Sequence, residues 1–453
     1  MGVSVRRGRS VLALLAAAGV CACNGLLGTP DAVLAGADGG AEAGDGDTSA
    51  PKDATIEGAP EAGKDAGTHE AAEVGVAEAA EAGETGDATV GDAGDADADA
   101  GDAVSSETDA DAEIGDADAA NAGDADAGVV ASGPPSCPVD GGPGVSTCGT
   151  LQDSCCTSLT VPGGTVARSF AVNASGVATN LGDDATVSTF RLDEYEVTLG
   201  RFRQFVQASN AGWKPPVGSG IHTHVNAGLG LGQPTSDGGV VFEQGWRASY
   251  DPQLSGPDGA AGAWDATLQS CSPSTWTPSP AGQESLPITC INWYEAYAFC
   301  IWDGGFLPSE AEWAYAASGG AAQREYAWGS ADPGLLNQYA DYGCEYPEGG
   351  LVDAAFTCSS VANIAPVGTM PLGAGRWLQL DLTGNVHVET VDCYTTCYVL
   401  PCQDCADLTP TGFMAARGGS FVVPEGALVT YARFDYPIAS RDYKGGVRCA
   451  RTP

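Results

Sequence analysis

Three short strings near the C-terminus constrain the fold of this chain more than any other feature of its sequence. They read LPSEAEW at 307–313, RGGSF at 417–421 and GGVRCAR at 445–451. Each combines glycine, proline or serine with charged or aromatic residues in a way that hydrophobic packing alone does not require. Two more strings keep a fixed order with them, FRLDEYEVTLGRFRQFV at 190–206 and DLTGNV at 381–386. Five ordered blocks predict one large domain with several tight turns.

Local signals around these blocks predict a few regular elements between long loops. Residues 190–197 alternate apolar and polar side chains, as a half-buried strand does. Ser309 is followed three residues later by Glu312, which is the spacing of a capping box at the start of a helix. The other segments are rich in glycine and proline and predict loops. The sequence therefore predicts a strand at 190–197 and helices at 201–207, 292–302 and 308–319.

The five blocks together resemble the sulfatase-modifying-factor family, to which the formylglycine-generating enzyme belongs. The resemblance covers about residues 155–453, within a predicted domain at 136–453. It implies an α+β fold, a variant of the C-type lectin fold, with a short twisted sheet, two main helices and many ordered loops. Composition alone predicts only a large exported α+β domain that is rich in loops.

The N-terminus predicts export. Residues 1–23 begin with three arginines, continue with an apolar run at 11–20 and end in VCAC, which is the layout of a secretory signal peptide. The end of this segment resembles a bacterial lipobox in which Cys23 is lipidated after cleavage. An ordinary cleaved signal is the alternative. We expect a protein of the cell envelope or cell surface that a lipid on Cys23 holds to the membrane.

Residues 24–135 predict a disordered tether. Between 29 and 133 the chain has no aromatic residue and holds 28 of its 59 acidic residues against two lysines. Such a segment has little apolar surface to bury and repels itself, so we expect it to remain unfolded. The alternative is a weak cation-binding tract, although the repeated Asp-Ala text lacks the fixed period of calcium-binding repeats.

The net charge excludes one class of partner. The whole chain carries a formal charge of −40. Outside the acidic segment and the signal arginines, 31 acidic residues face 14 basic ones, which leaves about −17 on the remainder. Nucleic-acid binding needs a basic face to meet phosphates, so we expect no nucleic-acid partner. The same charge disfavours contact with anionic lipid, except through the lipid anchor.

The chain has 16 cysteines, which in an exported protein predict disulfide bonds. The family resemblance implies one pair, Cys300 with Cys449. Proximity in sequence favours further groupings: Cys271 with Cys290, Cys344 with Cys358, and the adjacent Cys155 and Cys156 with Cys137 or Cys148.

Four more cysteines lie close together at positions 393, 397, 402 and 405. Four thiolates can hold zinc in a tetrahedron. The usual zinc pattern, however, has two tight pairs separated by a longer loop, and an exported protein meets an oxidising environment. We expect two disulfides within this group, with zinc as the alternative.

The activity that the resemblance implies depends on two positions that follow RGGSF. In the oxidases of the family, two cysteines there bind copper and activate oxygen to convert a substrate cysteine into formylglycine, and thiolates are soft ligands that suit Cu(I). Here Val423 and Leu428 occupy those positions, beside Arg417 and Ser420 in the predicted cleft. An alkyl side chain cannot bind copper. We therefore expect no copper and no catalytic residue at this site.

Calcium is the cofactor that the resemblance does imply. In the family, a loop that reads near DLxGNVWEW supplies oxygen ligands through its Asn, its carbonyls and its Glu. This chain keeps Asn385, but Val388 stands at the Glu position and Glu389 follows one residue later. A second site would use Asn337 and Asp341. Calcium accepts mixed shells of carboxylate and carbonyl oxygens, and turns held by Asn and Asp without a metal are the alternative.

Histidine offers a second route to redox chemistry. Other relatives in the family oxidise sulfur with a non-haem iron that three histidines hold. His222, His224 and His387 could supply three imidazoles here. The alternative, that they are loop residues beside aromatic rings, is favoured because nothing nearby in the sequence marks an iron site.

Two functions follow from these observations. The first is a surface-tethered, non-catalytic domain that binds an extracellular peptide or glycan. The alternative is a divergent oxidoreductase, of the formylglycine-generating or the non-haem-iron type, that uses the same cleft. The missing cysteines favour the first, whereas the family framework alone supports the second because a shared fold does not fix an activity.

Overall fold

Short strands and long connections make up the folded part of the chain. The computed structural model describes residues 133–255, 263–349, 358 and 360–453. The predicted signal peptide with Cys23 lies outside the described residues, as does the predicted tether except for its last three positions. Within the described ranges, no helix is long and apolar enough to cross a membrane.

The regular elements are brief. Among the described residues the helices are α1 (Leu199–Asn210), α2 (Ala263–Leu268), α3 (Trp293–Trp302) and α4 (Glu310–Ala317). Single 3-10 turns lie at Asn226–Gly228, Ala248–Gln253, Gly320–Ala322, Val361–Asn363, Pro371–Gly373 and Glu425–Ala427. The strands are β1 (Ser158–Val161), β2 (Gly164–Val172), β3 (Ala178–Val187), β4 (Phe190–Asp193), β5 (Gly232–Pro234), β6 (Val240–Phe242), β7 (His387–Cys393), β8 (Cys402–Gln403), β9 (Phe413–Arg417), β10 (Phe434–Pro437), β11 (Gly445–Gly446) and β12 (Ala450–Arg451).

The strands form small separate sheets. Their orders are β1-β4-β12, β10-β9-β7-β11 and β2-β3-β8, with β5 and β6 as a hairpin. In the four-stranded sheet, β9 is antiparallel to both of its neighbours, β7 and β10, and β11 joins β7 in parallel. The resemblance implied one short sheet, whereas the structure distributes its strands over several sheets. The helix predicted at 201–207 is present as the 12-residue α1.

Capping residues fix where the two central helices begin. Asn292 accepts the N–H of Glu295, and Glu295 binds the N–H of Asn292 in return, at the start of α3. Ser309 and Glu312 form the same reciprocal pair at the start of α4. Each box satisfies N–H groups that a helix end leaves unpaired. The predicted helix starts at these two positions are therefore confirmed.

Aromatic side chains fill the largest core. Phe202 of α1 stacks on Phe299 of α3 with ring centroids 5.6 Å apart. Phe205 meets both of these rings edge-on at 5.2 and 5.8 Å, and Trp264 meets Phe202 and Phe205 edge-on at 5.9 and 5.7 Å. Rings of this size bury large apolar areas and favour edge-to-face contacts. This cluster packs α1 and α2 against α3.

A buried ionic cluster ties both ends of the domain together. Arg201 of α1 places Nη2 3.1 Å from Asp193 and 2.7 Å from Asp303. Arg451 of β12 reaches the same two carboxylates at 3.0 and 2.6 Å. All four side chains are almost fully buried. The cluster therefore joins β4, α1, the end of α3 and the last strand.

Disulfide bonds add covalent links. Cys300 of α3 is bonded to Cys449, so a bridge spans 149 residues and fixes the C-terminal strand to the body of the domain. The other described pairs are Cys137–Cys156, Cys148–Cys155, Cys271–Cys290, Cys344–Cys358 and Cys402–Cys405.

The expectation of two disulfides within the group from Cys393 to Cys405 is wrong. Cys402 pairs with Cys405, and Cys397 is disulfide-bonded, but Cys393 is a free thiol. Cys393 ends β7, where its backbone is paired with β9 and its side chain packs against the aromatic core. The strand therefore holds this thiol apart from the pair that closes the Cys402 turn.

A buried histidine clamps one long loop to α4. His222 is fully buried, with Nδ1 2.9 Å from Glu243 and Nε2 3.1 Å from Glu312. Burial alone would lower the pKa of His222, but the charges of Glu243 and Glu312 outweigh it and raise the pKa to about 10. The ring is therefore an imidazolium at neutral pH that donates to both carboxylates.

Replacing His222 tests this clamp. His222→Gln leaves two carboxylates without their charge partner, so we expect a loss of about 3–5 kcal/mol in the free energy of unfolding. Because the folded pKa lies above the unfolded value, the contribution is complete below about pH 6.5 and is lost as pH rises through about 10. Urea unfolding at pH 6, 8 and 10 measures the difference. His224→Gln, at a neighbouring half-buried ring, should change stability by less than about 1 kcal/mol; an equal loss would refute the clamp.

Candidate functional site

The start of α4 carries a carboxylate that binds two arginines. Arg417, at the end of β9, places Nε 3.0 Å from Glu310 Oε1. Arg433 places Nε 2.6 Å from the same oxygen and Nη2 2.8 Å from Oε2. Burial alone would raise the pKa of Glu310, but the charges of Arg433 and Arg417 outweigh it and lower the pKa to about 2. The ion pairs therefore hold α4 against β9 at any physiological pH.

Arg417 is an interior residue. It is fully buried, and Nη1 donates to the carbonyl oxygens of Ala432 at 3.0 Å and Thr430 at 3.3 Å. Nη2 donates to the hydroxyl of Tyr398 at 2.8 Å. The sequence placed Arg417 in a cleft, whereas in the structure its guanidinium binds protein groups on every side. It shapes the turn that follows it.

The turn after Arg417 brings Val423 and Leu428 together. Gly418 and Gly419 have φ angles of 96° and 72°, which favour glycine. A Cβ on Gly419 would lie 3.1 Å from Val423 Cγ2 and 3.4 Å from Leu428 Cδ2. Both alkyl side chains thus converge on the same turn.

Val423 and Leu428 belong to an apolar cluster. Val423 is 6% exposed and Leu428 is fully buried. The buried members of this cluster are Tyr326, Ala340, Tyr342, Cys358, Ile364, Phe421, Val422, Val423, Leu428 and Val429. Ser420, in the turn itself, is buried with a hydroxyl that has no hydrogen-bond partner among the described residues. The two positions are therefore filled by packed hydrocarbon.

Backbone hydrogen bonds hold a disulfide beside this turn. Gly343 donates its N–H to the Val423 carbonyl at 2.9 Å, and Cys344 donates its N–H to the Phe421 carbonyl at 2.7 Å. Cys344 is bonded to Cys358, which lies in the apolar cluster. The free thiol, Cys393, packs against the other core, and burial raises its pKa to about 11. Copper(I) favours thiolate ligands, so the side chains at this turn do not fit copper.

Asn385 and Asp341 form one group of oxygen atoms. The Asn385 N–H donates to the Asp341 carbonyl at 2.8 Å, and its Nδ2 donates to Glu196 Oε2 at 2.8 Å. Asp341 Oδ2 accepts the N–H of Ala365 at 3.0 Å, and burial raises the pKa of Asp341 well above its usual value. Oδ1 of Asn385 and Oδ1 of Asp341 are buried without a partner in the described part of the chain. Unpartnered oxygens of this kind suit a calcium ion.

Asn337 and Glu345 form a second group. Asn337 Nδ2 donates to the Glu345 carbonyl at 3.1 Å. Asn337 Oδ1 and both carboxylate oxygens of Glu345 are buried with no partner among residues that the structure describes. Burial, with the charge of Glu425, raises the pKa of Glu345 to about 7. The sequence had placed Asn337 with Asp341, whereas in the structure Asn337 contacts Glu345 and Asp341 contacts Asn385.

Glu389 lies in other surroundings. It belongs to β7, while Asn385 precedes that strand and contacts Glu196. Burial, together with the charges of Asp442 and Glu295, raises the pKa of Glu389 to about 8. The carboxylate beside Asn385 is thus that of Glu196, which the sequence analysis missed. Only the tertiary pairing of 190–197 with the DLTGNV loop shows this contact.

The three histidines do not share one set of neighbours. His222 lies between two carboxylates and contacts His224 and Phe306. His387 packs against Phe434 and Tyr436 on the four-stranded sheet. Over the described ranges, no group of three or more His, Cys, Asp or Glu side chains is arranged to hold a metal ion. The residues present do not form the three-histidine iron site.

These features define a class: a disulfide-bonded, mixed α/β domain that keeps the glycine turn after Arg417 but surrounds it with hydrocarbon. The chain belongs to the FGE-sulfatase family, whose model, a sulfatase-modifying factor enzyme 1-like domain, matches residues 147–453. The family that the five sequence blocks indicate is confirmed.

The relatives include proteins named as formylglycine-generating enzymes and proteins named as inactive. The formylglycine-generating enzyme of Streptomyces coelicolor is 29% identical over 271 residues, covering 58% of this chain and 77% of that protein. The inactive C-alpha-formylglycine-generating enzyme 2 of Mus musculus is 32% identical over 130 residues, covering 27% of this chain and 39% of that protein. Among solved structures, PvdO from Pseudomonas aeruginosa matches with a TM-score of 0.41 and 18% identity, covering 65% of this chain and 94% of that one.

Neutralising Glu310 tests the ion pairs behind the turn. Glu310→Gln removes the charge that Arg417 and Arg433 share, so we expect the free energy of unfolding at pH 7 to fall by about 3–5 kcal/mol. Because the folded pKa is depressed, this contribution exists above about pH 4.5 and disappears as pH falls through about 2. Chemical unfolding from pH 2.5 to 7 gives the profile. The exposed Glu348→Gln should change stability by less than about 0.5 kcal/mol at every pH; a similar profile for both variants would contradict the assignment.

Proposed function

We propose that this protein is a non-catalytic binding domain, exported and tethered to the cell envelope, that recognises an extracellular peptide or glycan. A lipid on Cys23 and the acidic segment at 24–135 would hold the domain away from the membrane. The C-type-lectin-like arrangement that the family resemblance implies suits such a role, because long ordered loops offer a varied surface on a stable body.

One observation supports the loss of oxidase activity most directly. Val423 and Leu428, at the positions of the family's copper-binding cysteines, converge on Gly419 inside an apolar cluster. Neither side chain can ligate copper or form a mixed disulfide with a substrate thiol. A mouse relative that matches part of this chain is named as an inactive formylglycine-generating enzyme, so the name of one relative indicates the same loss of activity.

Oxygen consumption tests this proposal. The purified chain, supplied with copper and a cysteine-containing peptide, should consume no oxygen above the peptide's own background, because the turn lacks thiolates. Val423→Cys/Leu428→Cys restores two thiols at converging positions, and we expect this variant to bind Cu(I) where the parent does not. Val423→Ser/Leu428→Ser is the matched control, since serine has a similar size and is a poor ligand for Cu(I).

Formylglycine formation by the unmodified chain, detected by mass spectrometry of the peptide, would overturn the proposal. Copper binding by the serine variant would show that other residues hold the metal. Circular dichroism shows whether the cysteine variant is folded. If it is not, the oxygen consumption of the parent chain still tests the proposal.

We also propose that the domain binds calcium. Buried oxygens without a partner, on Asn385 and Asp341 and on Asn337 and Glu345, support this. An unpaired buried oxygen is costly, and a calcium ion would satisfy several at once. When bound, the ion would supply charge that offsets the buried carboxylates and would join the loop at 381–386 to the loop at 337–345.

Removing calcium should therefore destabilise the domain. At a free calcium concentration one hundred times the dissociation constant, binding contributes about 2.7 kcal/mol, so EDTA should lower the melting temperature by several degrees. Asp341→Asn should reduce the calcium effect, whereas Asp237→Asn, at an exposed turn, should not. The calcium proposal would be excluded if calorimetric titration with calcium gave no heat of binding and the melting curves with calcium and with EDTA were equal.

A further inference from the structure

A polar pair lies on the four-stranded sheet away from the glycine turn. His387 and Glu389 are two residues apart on β7, so their side chains lie on the same face of the sheet. They are 2% and 5% exposed. The calcium groups described above contact neither side chain, and the proposed loss of oxidase chemistry leaves both without a role.

Two aromatic rings on the edge strand border this pair. Glu389 is paired across the sheet with Ala416 of β9, and Ala416 with Phe434 of β10, so these side chains share one face. The ring of Phe434 lies 4.3 Å from that of His387 and the ring of Tyr436 lies 5.4 Å from it. Phe434 and Tyr436 are half-buried, and the intervening position holds only the methyl group of Ala416. This face of the sheet thus combines hydrogen-bond acceptors with aromatic rings, and the short side chain of Ala416 lies between them.

The polar atoms on this face lack partners. His387 Nδ1 and Glu389 Oε2 are both buried without a hydrogen bond to any residue the structure describes. Burial raises the pKa of Glu389 to about 8, so at pH 7 its carboxyl is largely protonated until a cation binds beside it. Once ionised, the carboxylate accepts hydrogen bonds only, and a neutral imidazole accepts at one of its two ring nitrogens. Two neighbouring unsatisfied acceptors call for a ligand that donates at least two hydrogen bonds. The aromatic faces add a preference for positive charge.

Nearby cations do not fill this need. Lys444 lies 3.5 Å from the carboxylate of Asp442 and over the ring of Tyr443. Arg441 binds both oxygens of Glu295. No ion pair to Glu389 is present in the described part of the chain, although Asp442 and Glu295 add negative charge around it. An ionised Glu389 would therefore have no charge partner on this face, and a bound cation would supply one.

We propose that His387, Glu389, Phe434 and Tyr436 form a binding site for a small organic cation that carries N–H donors. An alkylammonium or a guanidinium group, free or on the side chain of a peptide, has this chemistry. One N–H would meet Glu389 Oε2, a second would meet His387 Nδ1, and the charge would face the rings. This inference rests on the proposed binding role and names the chemical class of one ligand group.

Titration with small probes tests the site. The full chain is titrated with ethylammonium and with methylguanidinium while NMR follows the His387 and Tyr436 ring signals. At least one of the two probes should bind saturably. The probe that binds more tightly shows whether an alkylammonium or a guanidinium group fits the site better. Tetramethylammonium has the same charge without N–H donors and should bind at least tenfold more weakly. Acetamide has N–H donors without the charge and should also bind at least tenfold more weakly.

Two matched variants assign the binding to Glu389. Glu389→Gln keeps the shape of the side chain but removes its charge, and should weaken probe binding at least tenfold. Asp435→Asn removes a charge from the exposed, opposite side of β10 and should leave the affinity within twofold. Melting curves of both variants show whether they are folded; because Glu389 is buried without a charge partner, Glu389→Gln should melt no lower than the parent.

Several outcomes would overturn the proposal. Absence of saturable binding by both N–H probes excludes the site, as does equal affinity for tetramethylammonium. Binding of zinc chloride, but of neither organic cation, with loss in Glu389→Gln would make this a metal site. Each of these results is independent of oxygen consumption, so failure of this site and failure of the non-catalytic proposal are distinguishable.

Discussion

The carboxylate of Glu310 is the contact on which the rest of this domain depends. It begins α4 and binds Arg417 at the end of β9 and Arg433 before β10, so one buried charge orders a helix and two strands. Arg417 leads directly into the glycine turn, and the position of that turn fixes where Val423 and Leu428 point. A buried carboxylate with two arginines is costly to break. The ion pairs of Glu310 thus fix the framework around the glycine turn.

The side chains around the glycine turn differ from the polar groups that lack hydrogen-bond partners elsewhere in the domain. Among the described residues around the glycine turn, the apolar cluster contains the Cys344–Cys358 disulfide together with aliphatic and aromatic side chains. Polar groups without partners lie elsewhere, at the two oxygen groups and on the face of β7. These oxygen and nitrogen acceptors are groups that ions and polar ligands can bind.

Local signals predicted local structure, and pairings distant in sequence remained hidden. The starts of α3 and α4 follow from capping boxes within four residues, so the sequence predicted them. The pairing of Cys300 with Cys449 came from the resemblance. The resemblance to the family's calcium loop grouped Glu389 with Asn385, yet Asn385 meets Glu196, which lies far away in sequence between β4 and α1. Cys393 is free because strand pairing, which sequence spacing does not reveal, holds it apart.

The most direct test of the central claim is the affinity of the folded chain for copper(I). A competition titration against a chromogenic chelator measures it under reducing conditions too mild to open the disulfides, with the number of free thiols counted in the same sample. Hydrocarbon at the glycine turn predicts that the chelator retains all of the copper. One copper ion per chain, held against excess chelator and released when the free thiols are alkylated, would contradict this account.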